Sequence, residues 1–419
     1  MNLSKKTDLT THVANAKRLG YLSAAPRVST RIDAKASGPR AHVLGVIRAF
    51  ESLGWDVDPY IVGDRLPSSF TNRSEEKMER SALVRLGADI ARLGMGLYHS
   101  VKAWRELCDN VDWVYERLAT LQVLGWIFQK RGIPWILETS GLFFYEAKVE
   151  RKSIFLSNLA RMIELWAYRN CDVLVCVTDT LKELIVTNSK ILPDKVLVVP
   201  NGVDTSFFDP DQHSPKRLFD GATLGFVGAL INWHRLDILL YALAEMHNEG
   251  VHFNLTIVGD GPMQSKWETL AKEVELQESI RFVGQVPWNQ VPSYIAGFDL
   301  GFIGNDKMEI GVMYHSPLKL YEYMSMALPV IASAYDDSQM MIEQGKNGYL
   351  FNPGDKDDLK RVLREAFNDR YRWQEIGFAG RQKVLEQASW SARVQKMNSE
   401  IERVLKEQSC FRAKNMQAG

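Results

Sequence analysis

The chain has 419 residues, 46% hydrophobic and 24% charged, with 51 basic side chains against 51 acidic ones. That length exceeds what one core sustains, so two domains are expected, and the balanced charge gives no global pull toward nucleic acid. No apolar run reaches 18 residues, so no membrane-spanning helix is expected.

The four cysteines, Cys108, Cys171, Cys176 and Cys410, form no CxxC pair and no zinc spacing. The start, MNLSKKTDLTTHVANAKR, is polar and lacks the apolar core of a signal peptide. A reduced, cytoplasmic protein is the expectation.

From Gly20 onward, short apolar runs alternate with helical patterns. Strands are predicted at 21–24, 57–62, 113–115, 135–137, 173–177 and 196–199, and helices at 41–53, 121–130, 154–169 and 179–187. Alternation of this kind implies a parallel sheet covered on both faces. One further helix, over residues 76–107, carries Leu83, Leu86, Ile90, Leu93, Leu97, Val101 and Trp104 at helical spacing. Arg80, Arg85, Arg92, Lys102 and Arg105 fall mostly elsewhere on it. The preferred reading is a helix that covers the sheet while its basic tips reach water. Peripheral contact with an anionic membrane is the alternative.

The most linker-like stretch is DPDQHSPKRLFDG at 209–221. Strands then resume at 224–227, 253–258, 280–283, 300–303, 329–332 and 349–351. The expected organisation is a first domain over 1–208, the linker, a second domain over 222–388, and a closing helix over 389–419. Ligands of doubly wound sheets bind beyond the carboxyl ends of the strands. Gly228, the turn Gly259-Asp260-Gly261-Pro262, Gly284 and Ser316-Pro317 all fall at that edge.

Ser316-Pro317 reads as a helix start, with Ser as cap and Pro in the first turn. Lys319 is then out of place, because the first turn already presents positive charge. A cation fits there if an anion also sits at that end, as phosphates do. Glu322, three residues on, shares its face. Amides, cation and carboxylate together suit a nucleotide: pyrophosphate on the first two, ribose hydroxyls on the third.

The second half also carries PNGVD at 200–204, LGFVGAL at 224–230, LTIVGDGPM at 255–263, RFVGQVP at 281–287, SPLKLYEYMSMALPVIAS at 316–333 and GKNGYLFNPGD at 345–355. The first half adds SGPRAHVLGVIRAFESLGWDV, WVYER and IPWILETSGLFFYE. This ordered set resembles the family-4 retaining glycosyltransferases, in the subgroup with an SPLK-type motif. The resemblance implies the GT-B fold, two doubly wound Rossmann-like domains facing a central cleft. It also implies sugar transfer from a nucleotide-diphosphate donor, UDP- or GDP-linked, to a glycan, lipid-linked or small-molecule acceptor. Retention of anomeric configuration and independence of cofactor and metal come with it.

Carried over by the resemblance, Lys319 and the backbone at Ser316, Pro317 and Leu318 grip the diphosphate, and Glu322 holds the ribose. Gly228, Gly261 and Gly284 admit the donor, Val283 begins the nucleobase shelf, and Gly38 and Arg40 lie near the diphosphate. Three positions depart from the family. A phosphate-gripping Arg and Lys are replaced by Ala229 and His234, with Arg235 the candidate substitute. A glutamate eight residues before Glu322 is Tyr314, with Glu309 the nearest upstream carboxylate, and the first-domain donor-sugar histidine is Ser140, with Glu138 the nearest ionisable group. His42 reads as a cap or surface residue, and Asp336-Asp337 as turn chemistry. A non-hydrolysing nucleotide-sugar 2-epimerase and a catalytically inactive nucleotide- or glycan-binding homologue are the alternatives.

Overall fold

The computed structural model describes residues 16–34, 37–68 and 81–417, with side chains described as far as residue 410. Most of the polar start and residues 76–80 of the expected basic helix lie outside the described residues. Each half of the chain folds around a six-stranded sheet. The first contains β1 (Arg18–Ser23), β2 (Asp56–Ile61), β3 (Trp113–Arg117), β4 (Trp135–Thr139), β5 (Val173–Cys176) and β6 (Val196–Val198), in the order β2-β1-β3-β4-β5-β6. The second contains β7 (Thr223–Val227), β8 (Asn254–Val258), β9 (Ile280–Gly284), β10 (Leu300–Ile303), β11 (Val330–Ser333) and β12 (Tyr349–Phe351), in the order β12-β11-β10-β7-β8-β9.

Neighbouring strands in both sheets run parallel. Parallel strands need crossovers, and the crossover helices cover both faces, which is why runs such as Ile136-Leu137 and Val330-Ile331-Ala332 are buried throughout. In the second sheet the winding direction reverses between β7 and β10. A crevice opens beyond the carboxyl ends of strands at such a reversal. The loops that begin at Gly228 and Gly304 leave from there.

The two halves are tied by the chain's last segment. Val203 donates to the Ala388 carbonyl at 3.0 Å, and Trp390 donates back to the Val203 carbonyl at 3.1 Å. The helix Trp390–Gln417 then buries Val394, Met397 and Ile401 in the first domain's core. A Cβ on Gly45 would collide with the Trp390 indole, so that close approach requires glycine.

Two expected helices differ from their sequence reading. The one at 121–130 shrinks to Trp126–Lys130. Leu121 there has φ +64°, and the buried Glu116 carboxylate accepts the Leu124 and Gly125 amides at 2.6 and 2.8 Å, fixing a loop in place of the first helical turn. The basic helix runs over Ala82–Leu107, but Leu83, Ile90, Leu97 and Val101 of its expected apolar stripe face outward, as described below.

Candidate active site

The helix Leu318–Ser325 begins at the strand-order reversal of the second sheet. Its inner face buries Leu320, Tyr321, Tyr323 and Met324, at roughly 1.5–3 kcal/mol for an apolar side chain of that size. The Tyr323 hydroxyl, in the helix's second half, accepts the Val227 amide at 2.7 Å and holds the helix against the end of β7.

Lys319 is consequently buried, 9% exposed, with Nζ 3.9 Å from the centre of the Phe226 ring. A Cβ placed on Gly228, where φ is +143°, would lie 3.1 Å from the same Nζ. His234 faces it, with Nε2 3.4 Å from Nζ. The other ring nitrogen, Nδ1, lies 2.7 Å from the Ala229 carbonyl and must donate, because a carbonyl only accepts. Burial, and then Lys319, push the His234 imidazole well below its usual range, so the ring is neutral and Nε2 is its acceptor. Burial likewise pushes Lys319 down to about 7 against the pull of Glu322. Glu322 is half-buried, and desolvation raises it to about 7 against the pull of Lys319. It lines an interdomain cleft with Leu44, Arg48, Trp288, Leu318 and Trp390.

A second helix start meets this one. Ser37 caps the helix Gly38–Ser52 by accepting the Arg40 amide at 3.3 Å. A Cβ on Gly38 would lie 3.3 Å from Leu318 Cδ1. Two helix starts therefore meet at Leu318, next to Lys319, and a helix start carries about half a positive charge. Arg40, half-buried, donates to the Arg31 carbonyl at 3.0 Å.

Other residues singled out from sequence have these surroundings. Pro317, not Ser316, occupies the cap position of the donor helix. Ser316 is buried, donates to Asp337, and accepts the Asn201 amide at 2.9 Å. Tyr314 is fully buried against the first domain, where its hydroxyl donates to Glu146 at 3.1 Å and its carbonyl accepts from Thr178 at 2.9 Å. The Arg235 guanidinium is committed to Asp237 and Asp306, so the charge left missing by Ala229 is not restored by Arg235. Gly261 is required because a Cβ there would lie 2.6 Å from the Leu230 backbone; the constraint is loop packing on loop. Gly284 has φ +79° with open space beyond, and Val283, like Trp288, is half-buried against the core that contains Tyr294 and Ile295.

Glu138 is buried and bonded to a residue that sequence reasoning misplaced. His42 is 3% exposed, with Nε2 2.6 Å from Glu138 and Nδ1 2.8 Å from the Asn201 side chain. Burial raises the Glu138 carboxyl, but His42 and Arg117 outweigh it and hold the group below its usual range. Asn201 donates in turn to the Ser316 carbonyl at 2.6 Å, and Asp337 accepts from Ser316 and Tyr321. A buried polar chain thus runs from Arg117 through Glu138, His42, Asn201 and Ser316 to Asp337, joining the first domain to the base of the donor helix. Asp337 opens the helix Asp336–Met341 and belongs to this chain, not to a turn.

Residues 36–207 match the family described as Glycosyltransferase Family 4, and residues 210–383 match Glycosyl transferases group 1. The chain belongs to the family-4 glycosyltransferases. Among its relatives is the GDP-mannose-dependent alpha-(1-6)-phosphatidylinositol monomannoside mannosyltransferase of Mycolicibacterium smegmatis. It is 26% identical over 208 residues, 46% of this chain and 53% of that protein. The UDP-Gal:alpha-D-GlcNAc-diphosphoundecaprenol alpha-1,3-galactosyltransferase of Escherichia coli is 23% identical over 276 residues, 62% of this chain and 68% of that one. The match spans about half, or less, of the length of the first such relatives. Among solved structures, sucrose-phosphate synthase from Thermosynechococcus elongatus superposes with a TM-score of 0.68 at 18% identity, covering 94% of this chain and all of that one. Anabaena HepE in complex with UDP-glucose gives 0.62 at 17% identity, covering 93% and 99%. The fold is GT-B.

Proposed function

We propose that the protein transfers a hexosyl unit from a UDP- or GDP-linked donor to a lipid-linked or glycan acceptor, with retention and without a metal. One observation carries this reading: Lys319, desolvated and partnered by a neutral histidine, stands where two helix starts converge. When the glycosidic bond breaks, negative charge develops on the departing diphosphate. Lys319 and the amides of Leu318 and Lys319 would bear that charge, with the amides beyond Gly38 closing from the other domain. Arg40 would add positive potential from behind. Glu322 would accept from the ribose hydroxyls in the cleft it lines, and the base would lie along Val283, Gly284 and the residues after them.

Retention follows if the acceptor hydroxyl attacks on the face the diphosphate leaves and gives its proton to it. Glu138 is held by His42 and Arg117 and is not part of that step. The donors in the relatives' names, GDP-mannose and UDP-Gal, support the choice between the two nucleotides.

Nucleotide binding is tested by thermal shift with UDP, GDP and ADP. The matching diphosphate at a hundred times its dissociation constant is expected to stabilise the fold by about 2.7 kcal/mol. Incubation with the corresponding sugar nucleotides and a lipid-linked acceptor should then release that diphosphate and yield an axial or equatorial linkage matching the donor. An epimerised donor without transfer would replace this reading by the epimerase, and no shift with any nucleotide would remove it.

A further inference from the structure

The helix Ala82–Leu107 is packed the wrong way round for a covering helix. Apart from Leu107 at its end, the buried residues, Asp89, Gly96, His99, Ser100 and Ala103, are small or polar, and Leu93 and Trp104 are half-buried against the core. Leu83, Ile90, Leu97, Tyr98 and Val101 point outward and are 80%, 58%, 65%, 61% and 44% exposed. A surface helix of a globular protein shows the reverse arrangement. Gly87 and Gly94 lie between the outward side chains, with open space beyond each.

From Leu83 to Val101 this outward face carries no charged residue, a length of about 27 Å at the helical rise. Phe155 and Met162, 49% and 67% exposed, extend it. They belong to a segment tied to the helix by Asp89, which accepts the Phe155 and Leu156 amides at 2.7 and 2.8 Å. Charge at the edge of the patch has one dominant sign. Lys148, Lys152, Arg161 and Arg105 are exposed, and Arg151 is exposed but paired with Glu146 at 2.9 Å. On the same elements Asp89, Glu146 and Glu164 are buried, Glu150 is half-buried, and Glu106 is paired with Arg65. No helix among the described residues is long and apolar enough to cross a membrane.

We propose that this face docks on an anionic lipid bilayer, with the helix lying in the plane of the headgroups. An uncharged stripe inserts apolar side chains, and the basic margin meets lipid phosphates. A second copy of the same face would bring like charges together, which disfavours self-pairing. Docking here would bring the first domain, and the cleft it forms with the second, to lipid-borne acceptors. The surface is separate from Lys319, so its failure leaves the donor reading standing.

The test is co-sedimentation of the full chain with phosphatidylcholine vesicles containing about one-third phosphatidylglycerol, against phosphatidylcholine alone. Binding is expected to the anionic vesicles only, and to weaken as salt is raised. The double variant Ile90→Glu, Leu97→Glu should reduce it by about tenfold or more. Both sites are exposed, so the variant should keep its thermal shift with nucleotide. Three results overturn the proposal: no binding to anionic vesicles, undiminished binding by the variant, or a wild-type dimer in light scattering that the variant converts to monomer. The last would assign the face to a second copy.

Discussion

Replacing Lys319 by Met is expected to cut turnover by about a hundredfold or more, as for loss of a fixed electrostatic donor, while leaving the fold as stable or more so. The two effects share one cause. Lys319 is desolvated, and its ammonium is held near 7 instead of its usual 10.5. A depressed lysine means that the unfolded chain binds a proton the native chain does not, between those two values. Wild-type stability should therefore rise with pH across that window. Methionine keeps the apolar stem and removes the charge, so its stabilising effect should be largest below pH 7 and fade toward pH 10.5. A group that weakens the fold at a cleft is a candidate for function. Turnover measured with the donor, beside denaturation at several pH values, checks both halves. An active Met variant would remove Lys319 from the mechanism, and an unfolded one would make it structural.

The second large effect is expected at Glu138, and there the loss should fall on stability first. Glu138→Ala leaves His42 and Arg117 facing a buried void. Removing one member of a buried ionic pair costs about 3–5 kcal/mol. Because His42 reaches Asn201, and Asn201 holds Ser316, the damage should spread to the base of the donor helix. Urea denaturation should show a lowered midpoint for Glu138→Ala and a smaller loss for Glu138→Gln, which still offers an acceptor to His42. Normal stability with abolished turnover would instead return Glu138 to the chemistry.

Strands were legible because parallel sheets bury both faces, and runs such as 173–177 and 329–332 declare this in composition alone. Lys319 was legible because a cation in a helix's first turn contradicts the helix dipole. His42 was not, although one signal was present. It falls four residues before Val46, on the apolar face of its helix, where an exposed residue has no place. Its partners are 96 and 159 residues away, and nothing local names them. Arg235 misled for the opposite reason: its neutralising partner, Asp237, lies two residues on, but the left-handed backbone at Arg235 that joins them shows only in three dimensions. Tyr314 could not be placed because the loop that carries it leaves the second sheet and packs into the first domain's core.

The grip on the diphosphate is tested most directly by calorimetric titration of UDP or GDP into wild type and Lys319→Met, in two buffers of different ionisation enthalpy at about pH 8. At that pH the free Lys319 is largely neutral, since its value lies near 7. A bound diphosphate favours the charged form and must draw a proton from the buffer. The expected result is proton uptake approaching one per site in wild type, with none and weaker affinity in the variant. Equal affinity and no buffer dependence in both would contradict the assignment of Lys319 to the leaving group.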